Sequence, residues 1–234
     1  MKRAFVIGCI TGESQYLSMA TTCARSIRTA GNNEDVVIAT IDKRVEDALG
    51  HKYIVKRSEP IRHPALAVKQ GSNERHQAFL NRIDFTDIQK LHFWNLPEYD
   101  KVLALDVDVI VYKPCVSAFI YRELSLTSAP GGSPVNSAVM VLKPDKDVYA
   151  DMIRTVMSAT FSLENGWNNY GPIDFEKGWD HYAARGAQGF LYWYFGLIQK
   201  KLRYVSFGSY LHHFGGEEKF SQKYINQSVN LLTF

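Results

Sequence analysis

Short apolar runs alternate with amphipathic segments along the first part of the chain. Runs of strand length are separated by stretches whose apolar residues recur at helical spacing and end at Gly31 and Gly50. The predicted elements are strands Ala4–Cys9, Asp35–Thr40 and His51–Lys56, and helices Tyr16–Thr29 and Val45–Leu49. Alternating strands and helices predict an α/β fold with a mostly parallel central sheet flanked by helices.

The same alternation continues less regularly in the rest of the chain. The pattern predicts a helix over Thr86–Trp94 with Thr86 as its N-cap, a strand that begins at Lys101, and a strand that begins at Asn136. A further helix is expected over Val148–Phe161, and another one after Gly186. In parallel sheets the ligand lies beyond the carboxyl ends of the strands, so we expect the loop after the first strand to share an edge with Asp106.

Two carboxylates interrupt the apolar run Lys101–Tyr112. A buried strand is normally a continuous hydrophobic segment, so Asp106 and Asp108 at its end need a cationic partner, for which a divalent metal is the natural candidate. A second pair, Asp145 and Asp147, precedes a helical pattern and is interpreted as helix-capping acids. The setting of Asp106 and Asp108, rather than their spacing, is what predicts a site.

Composition narrows the class of protein. With 234 residues, of which 46% are hydrophobic, one large domain is favoured over 1–234, with a donor-binding half near 1–112 and an acceptor and closing half near 113–234. The formal net charge of +3 comes without a basic stripe, which argues against a nucleic-acid partner. Three scattered cysteines predict reduced core thiols, and no run is long enough to span a membrane. A cytoplasmic location is therefore expected.

Four separated segments together resemble glycosyltransferase family 8, the retaining family of glycogenin and bacterial galactosyltransferases. In chain order they are Ala4-Phe-Val with Thr11 and Tyr16, Lys90-Leu-His-Phe-Trp94 through Asp108, Asn136-Ser137-Ala-Val-Met-Val, and His213-Phe-x-Gly216-x-x-Lys219. The match covers most of the chain in the right order. The resemblance implies a single GT-A type domain that binds a nucleotide sugar, with manganese as cofactor.

The predicted metal ligands are Asp106, Asp108 and His213. The diphosphate of a sugar nucleotide carries about two negative charges, and a metal ion held by carboxylates neutralises them as a Lewis acid. Oxygen ligands with one imidazole suit Mn²⁺ better than Zn²⁺, and Mg²⁺ is the alternative. Only the residues that follow His213 select it over His212, which is interpreted as structural.

The resemblance assigns contacts with the donor to the remaining matched residues. They are Thr11, Tyr16, Lys90, Val107, Asn136, Ser137, Gly216 and Lys219. Gly216 would let the backbone approach the diphosphate, and Lys219 would neutralise it. The resemblance implies that Thr11 and Tyr16 serve the uracil and ribose, and that the backbone of Val107 lies against the ribose.

Several of these residues also have an ordinary structural interpretation. Tyr16 at a helix start can be a core residue, and Lys90 can be a solvated cation on a helix face. Asn136 and Ser137 can simply cap a strand, since both residue types are common in turns. These alternatives stay open on the sequence alone.

The chain departs from the family pattern at one position. Family members carry an Asp-Gln pair where this chain has Ala187-Gln188, and that Asp normally touches the donor sugar. Three explanations compete: a nearby acid such as Asp180 supplies the carboxylate, the enzyme is weak, or the alanine was introduced to trap a substrate. Gln188, near the anomeric carbon by resemblance, and Asp180 are the catalytic candidates.

The leading hypothesis is a metal-dependent retaining transferase that moves a hexose from a UDP-sugar to a hydroxyl of a saccharide or protein-linked glycan. A second is a weak or inactive homologue that binds the nucleotide sugar without turnover, with Ala187 as its supporting feature. A third, a sugar-phosphate nucleotidyltransferase, should have a glycine-rich phosphate loop after the first strand, which Ile10-Thr-Gly-Glu-Ser-Gln lacks. The oligomeric state stays open, with a homodimer as one option.

Overall fold

The computed structural model describes residues 1–63, 82–127, 133–170, 179, 183–206 and 211–213, the last three through their backbone alone. The strands are β1 Arg3–Gly8, β2 Asp35–Thr40, β3 Ile54–Arg57, β4 Lys101–Asp106, β5 Val109–Val111, β6 Ser125–Thr127, β7 Asn136–Leu142, β8 Phe161–Ser162, β9 Gly166–Trp167, β10 Arg203–Tyr204 and β11 Leu211–His213. The α-helices are α1 Ser14–Thr29, α2 Lys43–Leu49, α3 82–88, α4 Lys146–Ser158 and α5 Ala187–Leu191. Short 3₁₀-helices cover Gln89–Trp94 and Val116–Ile120, and a π-helix covers Tyr192–Ile198.

A seven-stranded sheet organises the described residues, in the order β10-β6-β7-β4-β1-β2-β3. Strands β4, β1, β2 and β3 are parallel neighbours, whereas β7 runs antiparallel between β4 and β6. The prediction of an α/β fold with a mostly parallel sheet is therefore confirmed. The antiparallel β7 brings its own first residues to the edge where the parallel strands end.

Each face of the sheet is covered by a separate apolar cluster. The face under α1 and α2 is mainly aliphatic, and it includes the buried thiols of Cys9, Cys23 and Cys115, which are free as predicted. The opposite face packs against α4, α5 and the π-helix and is rich in aromatic rings. Trp167 lies at its centre, stacked on Trp193 with ring centroids 6.1 Å apart, and donates a hydrogen bond to the Ala184 carbonyl at 2.9 Å.

Local sequence signals explain most of the element boundaries. The side chain of Asp145 accepts hydrogen bonds from the backbone N–H groups of Asp147 and Val148 at the start of α4, which confirms the capping interpretation. Asp42 caps α2 in the same way through the N–H of Arg44. Gly31 has a φ of 82° just after α1, a backbone conformation that glycine adopts at little cost and that ends the helix.

Four boundary predictions were wrong. The run Lys101–Tyr112 is two strands, because the chain turns at Val107 and Asp108 and β5 then pairs with β11. Thr86 lies inside α3, where its hydroxyl donates to the Ile83 carbonyl, and the helix changes to a 3₁₀-helix at Gln89. The helix predicted to reach Phe161 ends at Ser158, and the third strand begins at Ile54 because a turn follows Gly50.

Among the described helices, none combines the length and the apolar character that crossing a bilayer would require.

Candidate active site

A cavity of about 270 Å³ lies at the carboxyl ends of β1 and β4. The register pairs Gly8 with Asp106, so the loop after β1 and the turn after β4 meet at one edge of the sheet, as the sequence predicted. The described residues that line the cavity are Gly8, Ile10, Thr11, Tyr16, Met19, Ile83, Thr86, Asp87, Lys90, Asp106, Val107 and Asp108. Six predicted site residues are among them: Thr11, Tyr16, Lys90, Asp106, Val107 and Asp108.

Lys90 is the cation nearest to Asp106 among the described contacts. Its ammonium lies 2.8 Å from Asp106 Oδ1, 2.7 Å from Asp87 Oδ1 and 3.0 Å from the hydroxyl of Ser137. The Lys90 side chain is only 10% exposed, so it is not the solvated helix cation of the alternative interpretation. We call Lys90, Asp87, Asp106 and Ser137 the Lys90 centre.

The electrostatics of the Lys90 centre favour the charged ammonium. Burial by itself lowers the pKa of Lys90, but the negative charges of Asp106 and Asp87 outweigh it, so the pKa is raised. Asp106 keeps 25% of its side chain exposed to the cavity. The carboxylate at the end of β4 is therefore partly neutralised by the protein and partly open to a ligand.

Ser137 and Gln188 lie beside the cavity rather than in its lining. Gln188 Oε1 accepts the Ser137 N–H at 3.1 Å, its Nε2 donates to the Ser133 hydroxyl at 2.7 Å, and its N–H donates to Asp87 Oδ2 at 2.7 Å. Ser137 is 2% exposed and Gln188 is 9% exposed. Both side chains are therefore buried next to the residues that line the cavity, and they hold these residues in place.

Three residues in and just after the loop that follows β1 have different surroundings. The Thr11 hydroxyl is buried without a hydrogen-bond partner among the described residues. Tyr16 lines the cavity and also packs against the aliphatic cluster, so it satisfies the core interpretation and the site interpretation together. Gly12 is held by Asp42, whose Oδ2 accepts its N–H at 2.8 Å, and a Cβ at Gly12 would come within 2.5 Å of the Arg44 Cβ.

Asn136 has a local partner. Its side-chain oxygen accepts the Ala138 N–H at 2.7 Å at the start of β7, which is the strand-capping contact of the alternative interpretation. Asn136 does not belong to the described lining of the cavity. Its contact with a donor stays a prediction.

Comparison with known proteins shows a consistent set of relatives. A putative UDP-glucuronate:xylan alpha-glucuronosyltransferase 5 from Arabidopsis thaliana is 29% identical over 160 residues, which are 65% of this chain and 25% of that protein. Glycogenin-1 from Caenorhabditis elegans is 24% identical over 186 residues, 76% of this chain and 40% of that protein. The resemblance to glycosyltransferase family 8 is confirmed. No protein-family profile matches the chain.

A solved structure supports the fold. The glycosyltransferase GlyE from Streptococcus pneumoniae TIGR4 superposes with a TM-score of 0.51 at 13% identity, over 88% of this chain and 46% of that one. The chain therefore has the GT-A fold. It spans about a quarter of the length of the xylan glucuronosyltransferases that it matches.

GT-A glycosyltransferases generally use a divalent metal ion. Within the described side chains, no group of three or more His, Cys, Asp or Glu is arranged to hold one. The backbone of His213 nevertheless lies directly opposite Val109, the residue after Asp108, because β11 pairs antiparallel with β5. Two carboxylates at the cavity and this register fit the predicted ligand set of Asp106, Asp108 and His213.

Three predicted site residues lie outside the described residues. They are Asp180, Gly216 and Lys219. Ala187, by contrast, is described and is fully buried in the aromatic-rich cluster. The position where the family carries an acid therefore has no access to the cavity in this chain.

Sequence reasoning missed Asp87. This acid is 7% exposed, lines the cavity and contacts Lys90, Ser137 and Gln188. A signal was present, because Asp84, Asp87 and Lys90 follow one another at spacing of three and so share one face of a helix. A solvated helix face is the alternative that the sequence leaves open for Lys90, whereas this face packs against β4, β7 and the start of α5.

Proposed function

We propose that this chain is a metal-dependent retaining glycosyltransferase that moves a hexose from a UDP-sugar to a hydroxyl acceptor. The observation that carries the proposal is the cavity at the ends of β1 and β4, with Asp106, Asp108 and Lys90 in its lining. Carboxylates and an ammonium on one wall are what the diphosphate of a nucleotide sugar requires, directly and through a cation. Relatives named as acting on UDP-glucuronate support a UDP-linked donor.

In this proposal Asp106, Asp108 and His213 hold the cation, with Mn²⁺ favoured and Mg²⁺ as the alternative. A bound cation would neutralise the diphosphate as it becomes the leaving group. Lys90 adds a fixed positive charge next to the same carboxylates and needs no rearrangement to do so, since it is already held by Asp87 and Asp106. Gly216 and Lys219 would contact the diphosphate from the other side.

The first loop would hold the nucleoside. The Thr11 hydroxyl is buried without a partner among the described residues, so a ligand that accepts or donates a hydrogen bond there would remove an unfavourable state. The ring of Tyr16 would stack on the base, and the backbone of Val107 would lie against the ribose. Asn136 would face the sugar, while the buried Ser137 and Gln188 would support that part of the site. Asp180 is a further candidate acid.

Retention would follow from positioning rather than from a protein nucleophile. We propose that the acceptor hydroxyl attacks on the face from which the diphosphate leaves, and that a phosphate oxygen of the donor takes the hydroxyl proton. The chain's contribution is then to hold the donor and acceptor in contact and to exclude water. A saccharide or protein-linked glycan would supply the acceptor, in the cytoplasm, and the chain would act as a monomer or a homodimer.

A screen of UDP-sugars tests the proposal. UDP-glucose, UDP-galactose and UDP-glucuronate are incubated with the protein in Mn²⁺, and free UDP is measured together with the shift of the thermal unfolding midpoint. A donor that binds the native state must raise that midpoint. Asp108→Asn should abolish Mn²⁺-dependent UDP release while the apo-protein keeps its midpoint within a few degrees. Equal release by the wild type and Asp108→Asn would overturn the proposal.

A second candidate function is a nucleotide-sugar-binding homologue without turnover. The buried Ala187 favours it, because the acid that the resemblance implies is absent at that position. It predicts stabilisation by UDP and Mn²⁺ with no UDP release from any donor. The same screen therefore separates the two candidates.

A further inference from the structure

Asp87 is a carboxylate at the cavity for which the family pattern gives no role. It belongs to α3, more than a hundred residues before Gln188 in the chain, and yet its Oδ2 accepts the Gln188 N–H at 2.7 Å. The space for it is made by Gly186, since a Cβ there would lie 2.7 Å from Asp87 Oδ2. An acid therefore does stand beside Gln188, supplied by a different helix.

The second oxygen of Asp87 faces the other residues of the site. Oδ1 lies 2.7 Å from the Lys90 ammonium and accepts the Ser137 hydroxyl at 3.1 Å. One carboxylate thus connects Lys90, Ser137 and Gln188, which lie on three different elements. Both of its oxygens are used in these contacts, so Asp87 acts on the site through its neighbours.

Lys90 is shared between two acids that have different surroundings. Asp87 is 7% exposed on its side-chain surface, whereas Asp106 is 25% exposed and is a predicted metal ligand. A cation bound to Asp106 would compete with Lys90 for the same oxygens. Without Asp87, Asp106 would be the one carboxylate left among the described contacts of Lys90, and Lys90 would oppose cation binding there.

We infer that Asp87 is a positioning residue: it fixes Lys90, Ser137 and Gln188, and it keeps Lys90 in place when Asp106 binds a cation. This inference rests on the proposed function. It also accounts for Gly186, where a Cβ would clash with Asp87 Oδ2.

Asp87→Asn tests this inference, because it keeps the shape of the side chain and removes its charge. The apparent Mn²⁺ concentration for half-maximal thermal stabilisation in saturating UDP should rise on the order of 10-fold. The kcat for UDP release from the preferred donor should fall about 10- to 100-fold, with KM for the donor changed by less than about threefold. Asp87→Glu, which restores the charge, should recover part of the loss in kcat.

Asp84→Asn is the matched control. It changes a buried acid one turn away on α3 that is outside the cavity lining, and it should leave the Mn²⁺ concentration for half-maximal stabilisation within about twofold. If Asp87→Asn keeps the wild-type kcat and Mn²⁺ dependence, the inference is wrong and the proposed function stands. If Asp87→Asn and Asp84→Asn raise the Mn²⁺ requirement equally, Asp87 has only a structural role. A wild type that neither binds UDP with Mn²⁺ nor releases UDP overturns both.

Discussion

Two buried ionic clusters lie one helical turn apart on α3, and they differ in access and in charge balance. In the first, Arg185 Nε donates to Asp84 Oδ2 at 2.8 Å, and the two side chains are 4% and 5% exposed. In the second, the Lys90 centre, one ammonium is shared by Asp87 and Asp106 and opens onto the cavity. We call the first cluster the Arg185 pair.

The difference shows which buried charges indicate a functional site. The Arg185 pair places a cation on an anion in a sealed position, and it ties α3 to the segment just before α5. The Lys90 centre has more carboxylates than cations, and Asp106 reaches the cavity surface. A buried cluster indicates a functional site when it has an excess of one charge and is open to a ligand, rather than by burial alone.

The largest expected effect comes from breaking the Arg185 pair. Arg185→Met should lower the free energy of unfolding by about 3–5 kcal/mol, because it leaves Asp84 as an unpaired buried carboxylate. Urea denaturation measures this loss. The double variant Arg185→Met/Asp84→Leu should regain most of it, since no buried charge remains. A loss below about 1 kcal/mol in the single variant would contradict the structural role that we assign to the Arg185 pair.

Lys90→Met should have a smaller effect on stability and a larger one on ligand binding. We expect a loss of about 2 kcal/mol, because the partly exposed Asp106 can be solvated after its cation is removed and the buried Asp87 keeps its hydrogen bonds from Ser137 and Gln188. Thermal stabilisation by UDP with Mn²⁺ should weaken strongly. The exposed Lys43→Met, which breaks only a surface pair with Asp47, should stay within about 0.5 kcal/mol of the wild type. If Lys90→Met lost as much stability as Arg185→Met, the Lys90 centre and the Arg185 pair would not differ in their contribution to stability.

Acid should act in opposite directions on two buried histidines and on Asp84 of the Arg185 pair. Burial lowers the pKa of His63 to about 4, helped by the charge of Arg185, and burial lowers that of His92 to about 4. Between pH 6.5 and 4 the unfolded chain therefore binds protons on both histidines that the folded chain does not, and stability falls as the pH falls. Burial raises the pKa of Asp84 to about 6 against the opposing effect of Arg185, so Asp84 acts in the opposite direction.

Taken by themselves, these two histidines and Asp84 leave a net loss of about 1 kcal/mol per pH unit on acidification over this range. Asp84→Asn removes the opposing group and should steepen the loss to about 2 kcal/mol per pH unit. His92→Gln should flatten it. Urea denaturation at a series of pH values measures all three slopes, and parallel slopes for the wild type and Asp84→Asn would show that Asp84 is already ionised throughout.

The smallest expected effect concerns Asp42, whose side chain is 18% exposed and belongs to neither buried cluster. Asp42→Ala removes the cap of α2 and the acceptor for the Gly12 N–H, and it should cost about 1 kcal/mol. Asn is also a good N-cap, so Asp42→Asn should cost only a few tenths of that amount. Differential scanning calorimetry resolves the two variants. Equal losses would show that the charge rather than the cap stabilises this loop.

The strands and the sheet edge that position the site could be predicted from the sequence better than the buried contacts within the site. The strand Asp35–Thr40 and the edge shared by Thr11 and Asp106 followed from apolar runs and from the geometry of parallel sheets. Asp87 and the burial of Lys90 did not follow, because they depend on contacts with Ser137 and Gln188 far along the chain. Local periodicity separates apolar from polar positions, but it does not show which polar face another element will cover.

The pairing of Gly8 with Asp106 makes the length of β4 as important as its composition. Exchanges among the aliphatic side chains of residues 102–105 leave the carboxylate where it is. A single inserted or deleted residue would turn it to the other face of the sheet, because side chains alternate along a strand. Selection should therefore act more strongly against insertions and deletions within β4 than against aliphatic substitutions there.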